Sequence, residues 1–563
     1  MTTKMETRRS YAIIGSDRRG ELDAVEMFAG YGGMTEGVEQ AGVPTRLAVN
    51  HWDRAIESHA KNFPHVDHQH ADLLDETADR YADPARLPAA KVLIAAPSCR
   101  HHSRANAERM YRDGPNLFNY QLAEASADKY ANSERSRATA ICPLRYAAAH
   151  QPLVAVIECT IELAQWGPKA LNRSTGDGST FQWWLAEWRR LGYEFEILFL
   201  NSGFFPPCPQ SRDRMYCVFW QQGLPRPDLR HRPDAYCTSS RCGGQWVTAT
   251  QAWKPSKPSW PLQRWGRHGQ QYLYACTACG TEAQPLAMPA YTAIDFSDLG
   301  PTVGERTGGN ALKPKTLERI RRGVNKFRDF PPLVIQGGIV QGIITPNAGN
   351  TYEHPGCSRS RHLTHQLFAQ STTLEHALVT QSFISEMRGG GSFKAGQDDV
   401  LSATHTVTAG GLHHGLCSFA KFNGGPTDTA WHPLTDPLGT VTTRDTTGLI
   451  SLTMPVTHAN SGDRYRSVVE QLAALTTARE RYLATEQRDL DGGGPLDLDA
   501  IHFRMLRPRN ELRRAMAFPD RYEFVEGHTQ ADITRGLGNA VTPPVSQWIM
   551  RRLLPALTSE AAA

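Results

Sequence analysis

The sequence has no excess of charge of one sign, no long apolar run and few cysteines. Its 61 basic and 57 acidic residues give a formal net charge of +4, so overall charge does not indicate a nucleic-acid partner. No run approaches the roughly 18 apolar residues of a membrane span, and residues 1–20 lack the apolar core of a secretory signal. Eleven cysteines among 563 residues are too few for a disulfide scaffold. With 40% hydrophobic residues, the chain is predicted to be a folded, soluble, cytoplasmic protein.

Short apolar runs alternate with longer amphipathic stretches between Leu22 and Trp220. This alternation predicts an α/β fold, in which a parallel sheet has helices on both faces and binds ligands at the carboxyl ends of its strands. At about 100 to 200 residues per domain, the length predicts two to four domains. Strands are predicted at residues 24–30, 45–51, 91–97, 153–159, 193–200 and 214–220, and helices at 36–42, 54–63, 135–150 and 180–192.

The chain changes character after Trp220, where proline, glycine, threonine and histidine become frequent. Residues 313–327 are an exception, because apolar residues at helical spacing and six basic residues predict a basic amphipathic helix. Taken alone, this helix fits a solvated surface equally well. An approximate repeat joins residues 404–416 and 438–449, with a weaker copy at 366–379. The repeat predicts strand–turn units, and scaffold alone remains an alternative to a binding role.

A glycine-rich turn follows the first predicted strand. Gly30, Gly32 and Gly33 allow the backbone to turn tightly and approach a ligand, and the next helix begins with unpaired N–H groups. Glycine turns of this kind join strands to helices in many proteins. The spacing is not Gly-x-Gly-x-x-Gly, which argues against an ordinary dinucleotide site.

Six motifs, in the same order, resemble those of the DNA cytosine-5 methyltransferases. The resemblance implies a doubly wound, Rossmann-like methyltransferase sheet with a large, mostly β or irregular inserted recognition domain. The similar segments are the first motif at Glu26–Gly33, the nucleophile loop at Ala96–Cys99, the sixth motif at Ile157–Thr160, a Gln-x-Arg-x-Arg motif at Pro209–Arg214, the ninth motif at Arg504–Pro519 and the tenth at Gly538–Pro544.

The resemblance implies S-adenosylmethionine as the cofactor. Phe28 would stack on the adenine, and the glycine loop would pass the amino-acid moiety. Where the family usually has an acid for the ribose hydroxyls, this chain has His51, which accepts one hydrogen bond rather than a pair. The implied cofactor-binding residues are Phe28, Ala29, Gly30, Gly32, Gly33, His51, Trp52, Asp72, Pro97 and Asn539.

Cytosine C5 is a poor nucleophile, so its methylation needs a thiolate that adds to C6 and an acid against the ring N3. Cys99 follows a predicted strand and has basic neighbours, which lower the pKa of a thiol. Glu158 ends an apolar strand. The resemblance implies that one of Arg212 and Arg214 contacts the base and the other braces the acid, and we assign Arg214 to the base. Cys159 stands where the family has Asn. The structural alternatives are a packed thiol, a buried Glu–Arg pair and two surface arginines.

A cytosine inside a duplex cannot reach such a site, so it must be flipped out while another region holds the DNA. Residues 222–460 are the candidate for that region. The family context makes the basic helix a candidate for contacts with phosphates. The predicted DNA-binding residues are Lys313, Lys315, Arg319 and Arg322.

Two close cysteine pairs, Cys237/Cys242 and Cys276/Cys279, predict a structural zinc site. The second pair, with Gly280 after it, is typical of a zinc knuckle, whereas the first is wider than the commonest form. Four thiolates leave no open position on the metal, so this zinc would hold a ribbon and would not catalyse. Unpaired surface thiols or incomplete metal binding are the alternatives.

These observations predict an S-adenosylmethionine-dependent DNA (cytosine-5) methyltransferase that acts on duplex DNA as a monomer. TrpGlyPro at 166–168 resembles a phage and prophage branch, which fits phage self-modification or restriction–modification in a bacterial or infected cell. Two alternatives remain open: a related C5 transfer with a modified cofactor or pyrimidine, and a non-catalytic zinc-containing DNA-binding protein. The predicted domains are a flexible segment at 1–20, a catalytic domain at 21–221, a recognition domain at 222–460 with a zinc ribbon at 237–279 and repeats at 366–449, a helix and linker at 461–499, and a catalytic C-terminal segment at 500–556.

Overall fold

A computed structural model divides the chain into two compact units. The first comprises Met1–Ala293, Gln366–Leu374 and Arg507–Ala563, and the second Ile294–His365 and Glu375–Leu506. The structure describes residues 22–98, 135–168, 170, 175–326, 333–335, 338–346, 361–363, 365–369, 376–383, 385–386, 414–415, 417–422, 429–433, 447–449, 498–499 and 501–560.

A seven-stranded sheet forms the centre of the first unit, in the order β3-β2-β1-β4-β5-β8-β6. The strand order reverses between β1 and β4, as in a doubly wound α/β fold, and this confirms the predicted fold class. The crevice for ligands in such a sheet lies outside the carboxyl ends of the strands at that point. The strands are β1 Ala24–Met27, β2 Thr45–Asn50, β3 Asp67–His70, β4 Val92–Ala95, β5 Val154–Cys159, β6 Tyr193–Asn201 and β8 Asp213–Gln221, with a short β7 at Gln210–Ser211.

The sheet differs from the sequence prediction at two strands. β8 runs antiparallel to both β5 and β6, whereas the prediction was a parallel sheet. The connection from β6 to β8 contains one short 3₁₀ turn, Ser202–Phe204, and a parallel return would need a crossover of a dozen or more residues. The edge strand β3 was not predicted, because its sequence DHQH is polar throughout.

Helices cover this sheet and carry aromatic side chains into its core. Trp188 of the helix Ser179–Arg190 stacks on Phe219 of β8, with ring centroids 4.0 Å apart. The chain end also packs here, because Val545 and Ile549 are buried in the same core as β1. The helices of the first unit are α1 Gly33–Gln40, α2 Asp53–Asn62, α3 Ile141–His150, α4 Ser179–Arg190, α6 Gln530–Asn539 and α7 Pro543–Glu560, with a helical segment at Pro508–Leu512 and Arg513–Ala515.

A four-stranded antiparallel ribbon belongs to the same unit. Its strands are β9 Asp234–Cys237, β10 Gln245–Trp253, β11 Tyr272–Cys276 and β12 Gln284–Pro285, in the order β11-β10-β9-β12. The ribbon shares its buried core with the seven-stranded sheet. The ribbon therefore packs as part of the first unit. The predicted start of the recognition domain at residue 222 stays a prediction.

The second unit is built on an antiparallel sheet in the order β13-β14-β17-β23, with β15 paired to β14. The predicted basic helix is present as α5 Pro314–Lys326, and its Ile320 is buried with Val379 and Phe503. The predicted helix at 463–490 and most of the repeat lie outside the described residues. The strands of the second unit are β13 Leu333–Ile335, β14 Gly338–Pro346, β15 Arg361–His362, β17 His376–Phe383, β18 Ser385–Glu386, β19 His414–Gly415, β20 Cys417–Phe422, β21 Thr429–Pro433, β22 Thr447–Leu449 and β23 His502–Met505. The short strand β16 Leu367–Phe368 belongs to the first unit, where it pairs with β7.

Across the residues that the structure describes, no helix combines the length and the apolar character needed to cross a membrane.

Candidate active site

The loop after β1 has an unusual backbone. Phe28 adopts a left-handed conformation with φ 58°, which is uncommon for a residue with a side chain and is often found at functional sites. A Cβ atom added at Gly30 would meet no atom of the described residues within 4 Å. Open space therefore borders the loop at Gly30, and the buried Ala29 fixes the loop through its N–H bond to the Val49 carbonyl of β2 at 3.0 Å.

The other two glycines of the loop serve close packing. Gly32 has φ 79°, and a Cβ there would lie 2.5 Å from Cε2 of Phe63. A Cβ at Gly33 would lie 1.9 Å from the carbonyl oxygen of Val541. Residues 22–40 and the chain end therefore meet backbone to backbone at this loop. Asn539 is exposed at the last position of α6, two residues before Val541.

The turn after β2 presents His51 and Trp52. His51 is exposed, and its carbonyl accepts a hydrogen bond from Nε2 of His70 at 2.8 Å. The Trp52 ring stacks on Tyr31 at 6.1 Å, and the guanidinium of Arg535 lies 4.6 Å from its centroid. An aromatic and cationic cluster thus borders the glycine loop.

Asp72 lies just beyond β3. Its Oδ1 accepts N–H bonds from Leu74 and Asp75 at 2.9 Å, and its Oδ2 pairs with Arg135 at 2.7 Å. Both carboxylate oxygens therefore already have protein partners. To meet an adenine edge, Asp72 would have to share or exchange the Arg135 contact.

The nucleophile loop begins at the strand-order reversal, directly after β4. Pro97 is buried there, and the Ser98 N–H donates to Oγ1 of Thr139 at 3.0 Å. The Ser98 hydroxyl lies 2.7 Å from that of Ser136. Cys99 itself lies outside the described residues. It follows Ser98, the last described residue after the carboxyl end of β4.

Glu158 and Arg214 form an ion pair between neighbouring strands. Glu158 Oε1 lies 3.0 Å from Nε of Arg214, and the acid's side chain is 6% exposed. Burial raises the pKa of Glu158, while the charges of Arg214 and Arg212 partly oppose that rise. The site therefore holds a buried carboxyl group, paired with an arginine, at the carboxyl end of β5.

Arg212 is buried and points to the chain end. Its guanidinium donates to the carbonyl oxygens of Gly538 at 3.0 Å and Ala540 at 3.1 Å. Asp213, between the two arginines, accepts the His268 N–H and an Asn201 amide N–H, each at 3.1 Å. Burial raises the pKa of Asp213. Arg214, which we assign to the base, makes the ion pair with Glu158, whereas we assign Arg212 to bracing the acid; both assignments stay predictions.

The four cysteines converge in the ribbon. All four Sγ atoms lie within 4.8 Å of one another, with Cys237 3.6 Å from Cys279 and Cys242 3.8 Å from Cys276. Tetrahedral zinc with Zn–S bonds of about 2.3 Å places sulfur atoms roughly 3.8 Å apart. The Ala278 N–H also points at Cys276 Sγ, at 3.4 Å. The cluster therefore has the shape and donor set of a zinc site.

The predicted DNA-binding residues lie at and within α5, in the second unit. Lys313 directly precedes the helix and is exposed. Lys315, Arg319 and Arg322 are positions within Pro314–Lys326.

Residues 22–124 match the family described as C-5 cytosine-specific DNA methylase. The matched span is less than a fifth of the chain and contains both the glycine loop and Cys99.

A curated relative and two solved structures are also similar to the chain. Type II methyltransferase M.HgiGI of Herpetosiphon aurantiacus is 32% identical over 84 residues, which are 15% of this chain. The aligned part is 64% of that protein, so the chain spans less than two thirds of the relative's length. S. pombe Dnmt2 methyltransferase (11% identity, 95% of this chain, 98% of that chain) has a TM-score of 0.37. Entamoeba histolytica methyltransferase EhMeth (10%, 96%, 99%) has a TM-score of 0.38. The fold class is assigned from the strand order of the seven-stranded sheet.

Sequence reasoning missed Asp213 and Glu162, which lie close in the chain to the predicted site residues, and Arg267, which pairs with Glu162. Arg267 pairs with Glu162 at 2.5 Å, and the Glu162 side chain is 2% exposed. Two sequence positions could have indicated these acids. Asp213 lies between the predicted site residues Arg212 and Arg214, and Glu162 lies four residues after Glu158. No local pattern could pair Glu162 with a residue more than a hundred positions away.

Proposed function

We propose that this protein transfers a methyl group from S-adenosylmethionine to C5 of a flipped-out cytosine in duplex DNA, through a covalent Cys99–C6 adduct. The observation that carries the proposal is the buried Glu158–Arg214 pair at the end of β5. It lies in a chain whose residues 22–124 match the cytosine-5 methylase family. A buried acid with a raised pKa and a paired arginine are the groups that this chemistry needs beside a thiolate.

The residues around the glycine loop fit S-adenosylmethionine. Gly30 borders open space, Phe28 holds a strained backbone, and the exposed His51 and Asn539 lie at the ends of neighbouring elements. In our proposal these residues and Trp52 hold the cofactor, with Pro97 and Ala29 shaping the walls. When bound, S-adenosylmethionine supplies the methyl group.

The protein's own residues activate the target cytosine and then release it. The Cys99 thiolate adds to C6 while Glu158 donates a hydrogen bond to N3, so that the electron pair of the C5–C6 bond becomes available at C5. After methylation, a base removes the proton from C5, the C5–C6 double bond re-forms and the thiolate leaves. Arg214 orients Glu158 and contacts the base from the same side.

Arg212 has a separate part in this scheme. Its bonds to the carbonyls of Gly538 and Ala540 join the strand that carries Arg214 to the segment that carries Asn539. A buried guanidinium that donates to two carbonyls holds both segments in a fixed relation. In our proposal Arg212 thus links the base pocket to the cofactor pocket.

Zinc and DNA recognition belong to the same proposal. The four cysteines would bind a structural Zn²⁺, and residues 222–460 would hold the duplex while the cytosine is flipped out. Lys313, Lys315, Arg319 and Arg322 would contact phosphates. TrpGlyPro at 166–168 supports a phage or prophage branch and a role in self-modification or restriction–modification.

Nucleoside mass spectrometry tests the proposal. The full-length protein is incubated with mixed-sequence duplex DNA and S-adenosylmethionine, and the DNA is digested and its nucleosides identified, with Cys99→Ser as the control. We expect 5-methylcytosine from the wild type and none from the variant. A cytosine with another added mass would replace methyl transfer by a related C5 transfer. Bound DNA and zinc without any modified base, on both ordinary and pre-modified DNA, would favour a non-catalytic DNA-binding protein.

A further inference from the structure

The loop between β10 and β11 of the ribbon lies at the end away from the cysteine cluster. Cys276 pairs with Ala249 at one end of the hairpin, and Tyr272 pairs with Trp253 at the other. Four residues of strand separate the two ends, a span of about 13 Å. Residues of this loop, Trp265–His268, therefore reach a different part of the molecule from the cysteines.

Three polar contacts join this loop to the two segments that carry the acid and its arginines. The Trp265 indole N–H donates to the Ile161 carbonyl at 2.8 Å, and Arg267 pairs with Glu162 at 2.5 Å. The His268 N–H donates to Oδ1 of Asp213 at 3.1 Å. The indole bond is buried, and the acid in each of the other two contacts is also shielded from water.

The contacted groups lie next to the catalytic candidates in the chain. Glu162 belongs to the 3₁₀ turn Ile161–Gln165, which begins directly after Thr160 at the end of β5. Asp213 is flanked by Arg212 and Arg214. Moving the ribbon loop away would remove one partner from each of these shielded acids, which is unfavourable. The loop therefore fixes the main chain on both sides of the Glu158–Arg214 pair.

Building on the proposed methyl transfer, we propose that the ribbon loop is a positioning element for the reaction. Arg267 holds Glu162, the His268 N–H holds Asp213, and together they set the orientation of Glu158 against Arg214. Arg267 is a positioning residue, because its contact is with Glu162. The four-cysteine ribbon in this view shapes the active site as well as any surface for DNA.

Steady-state kinetics of Arg267→Ala, Arg267→Lys, Glu162→Gln and the double variant Arg267→Ala/Glu162→Gln test this role. We expect a loss in kcat of roughly 10- to 100-fold for Arg267→Ala, because small misplacements of reacting groups are costly. The KM for DNA and the zinc content should stay unchanged. Arg267→Lys should regain part of kcat, because an ammonium group can still pair with Glu162. The double variant should be no worse than the worse single variant.

A matched control and a second readout separate positioning from general damage. Arg226→Ala removes an exposed Arg–Glu pair of the same unit, with Glu196 at 3.3 Å, and should leave kcat unchanged. Hydrogen exchange should quicken at residues 161–165 in Arg267→Ala and not in Arg226→Ala. If Arg267→Ala does not fold, Glu162→Gln, which keeps the side-chain shape, supplies the kinetic comparison.

The outcomes distinguish this inference from the proposed function. Wild-type kcat and unchanged exchange in both Arg267→Ala and Glu162→Gln would overturn the positioning role alone. A rise in KM with kcat unchanged would also overturn it, in favour of a binding role. Absence of 5-methylcytosine from the wild type would remove the proposed function itself, whereas faster exchange at residues 161–165 would still report the structural link.

Discussion

The central strand β5 and the ribbon strand β10 show two ways of stabilising functional residues in one compact unit. All six residues of β5 are buried, whereas only one of the nine in β10 is. The Glu158–Arg214 pair is therefore held by a large core that exists without it. Cys237 and Cys276 end β9 and β11, the two strands that pair with β10, and Cys242 and Cys279 lie in the turns that follow them. The end of so small a ribbon depends on a metal or a neighbour for stability.

The two centres should therefore fail in different ways. Loss of one partner of the Glu158–Arg214 pair should leave the fold intact, but the remaining charge stays buried where water cannot solvate it. Loss of the proposed zinc would remove what holds the outer part of the ribbon together.

Metal removal is expected to have the largest effect. Structural zinc contributes about 10–16 kcal/mol of binding free energy in small zinc-finger peptides, so chelation or Cys276→Ser should unfold the ribbon's cysteine end. The transition of the seven-stranded sheet should persist at a lower temperature, because the ribbon shares its core. Circular dichroism and metal analysis before and after chelation measure both. Cys142→Ser, at a buried thiol outside the cluster, is the control for metal content. An unchanged melting temperature in a metal-free sample would show that the ribbon does not depend on a metal for its stability.

Arg214→Ala is expected to have the next largest effect. It leaves Glu158 buried without its ion-pair partner, which should cost about 3–5 kcal/mol of unfolding free energy, measured by denaturant titration. Arg190→Ala removes an exposed pair with Glu187 and should cost no more than about 1 kcal/mol. Equal costs for the two variants would show that the β5 edge is not a low-dielectric site.

The sequence predicted the local features of both regions but not the contacts between distant segments. The strands of the sheet follow from apolar runs, and the cysteine cluster follows from two short spacings, so both are local signals. The antiparallel course of β8 depends on its pairing with β5 and β6. The bonds of Arg212 to Gly538 and Ala540 join residues more than three hundred positions apart, which no local pattern predicts. The same is true of Glu162 and Arg267, whose partnership arises only when the ribbon packs on the sheet.

Gly33 and Gly30 of the loop after β1 are expected to differ, the first serving packing and the second cofactor binding. Gly33→Ala places a Cβ against the Val541 carbonyl and should destabilise the fold by about 1–3 kcal/mol. Gly30→Ala enters open space and should change stability by no more than about 0.5 kcal/mol, while weakening S-adenosylmethionine binding. Thermal melting and calorimetric titration with the cofactor measure the two effects. Normal cofactor affinity in Gly30→Ala would place the cofactor elsewhere.

The smallest expected effect concerns His231, which joins the ribbon to the sheet. Its ring stacks on Phe205 at 4.2 Å, and its Nδ1 lies 2.6 Å from the Tyr274 hydroxyl. Burial lowers the pKa of His231 to about 3, below an unfolded value of about 6.5. Between these values the unfolded chain binds a proton that the folded chain does not, so stability falls as the pH drops below about 6.5.

At about pH 5.5 this single group should cost about 1.3 kcal/mol relative to neutral pH. His231→Gln should lose that much less stability than the wild type between the two pH values, because glutamine does not titrate. Denaturant titrations at both pH values measure the difference. If His231→Gln behaved as the wild type does, the contact between ribbon and sheet would have to admit water and a proton, and the ribbon loop could not hold Glu162 and Asp213 in a shielded site.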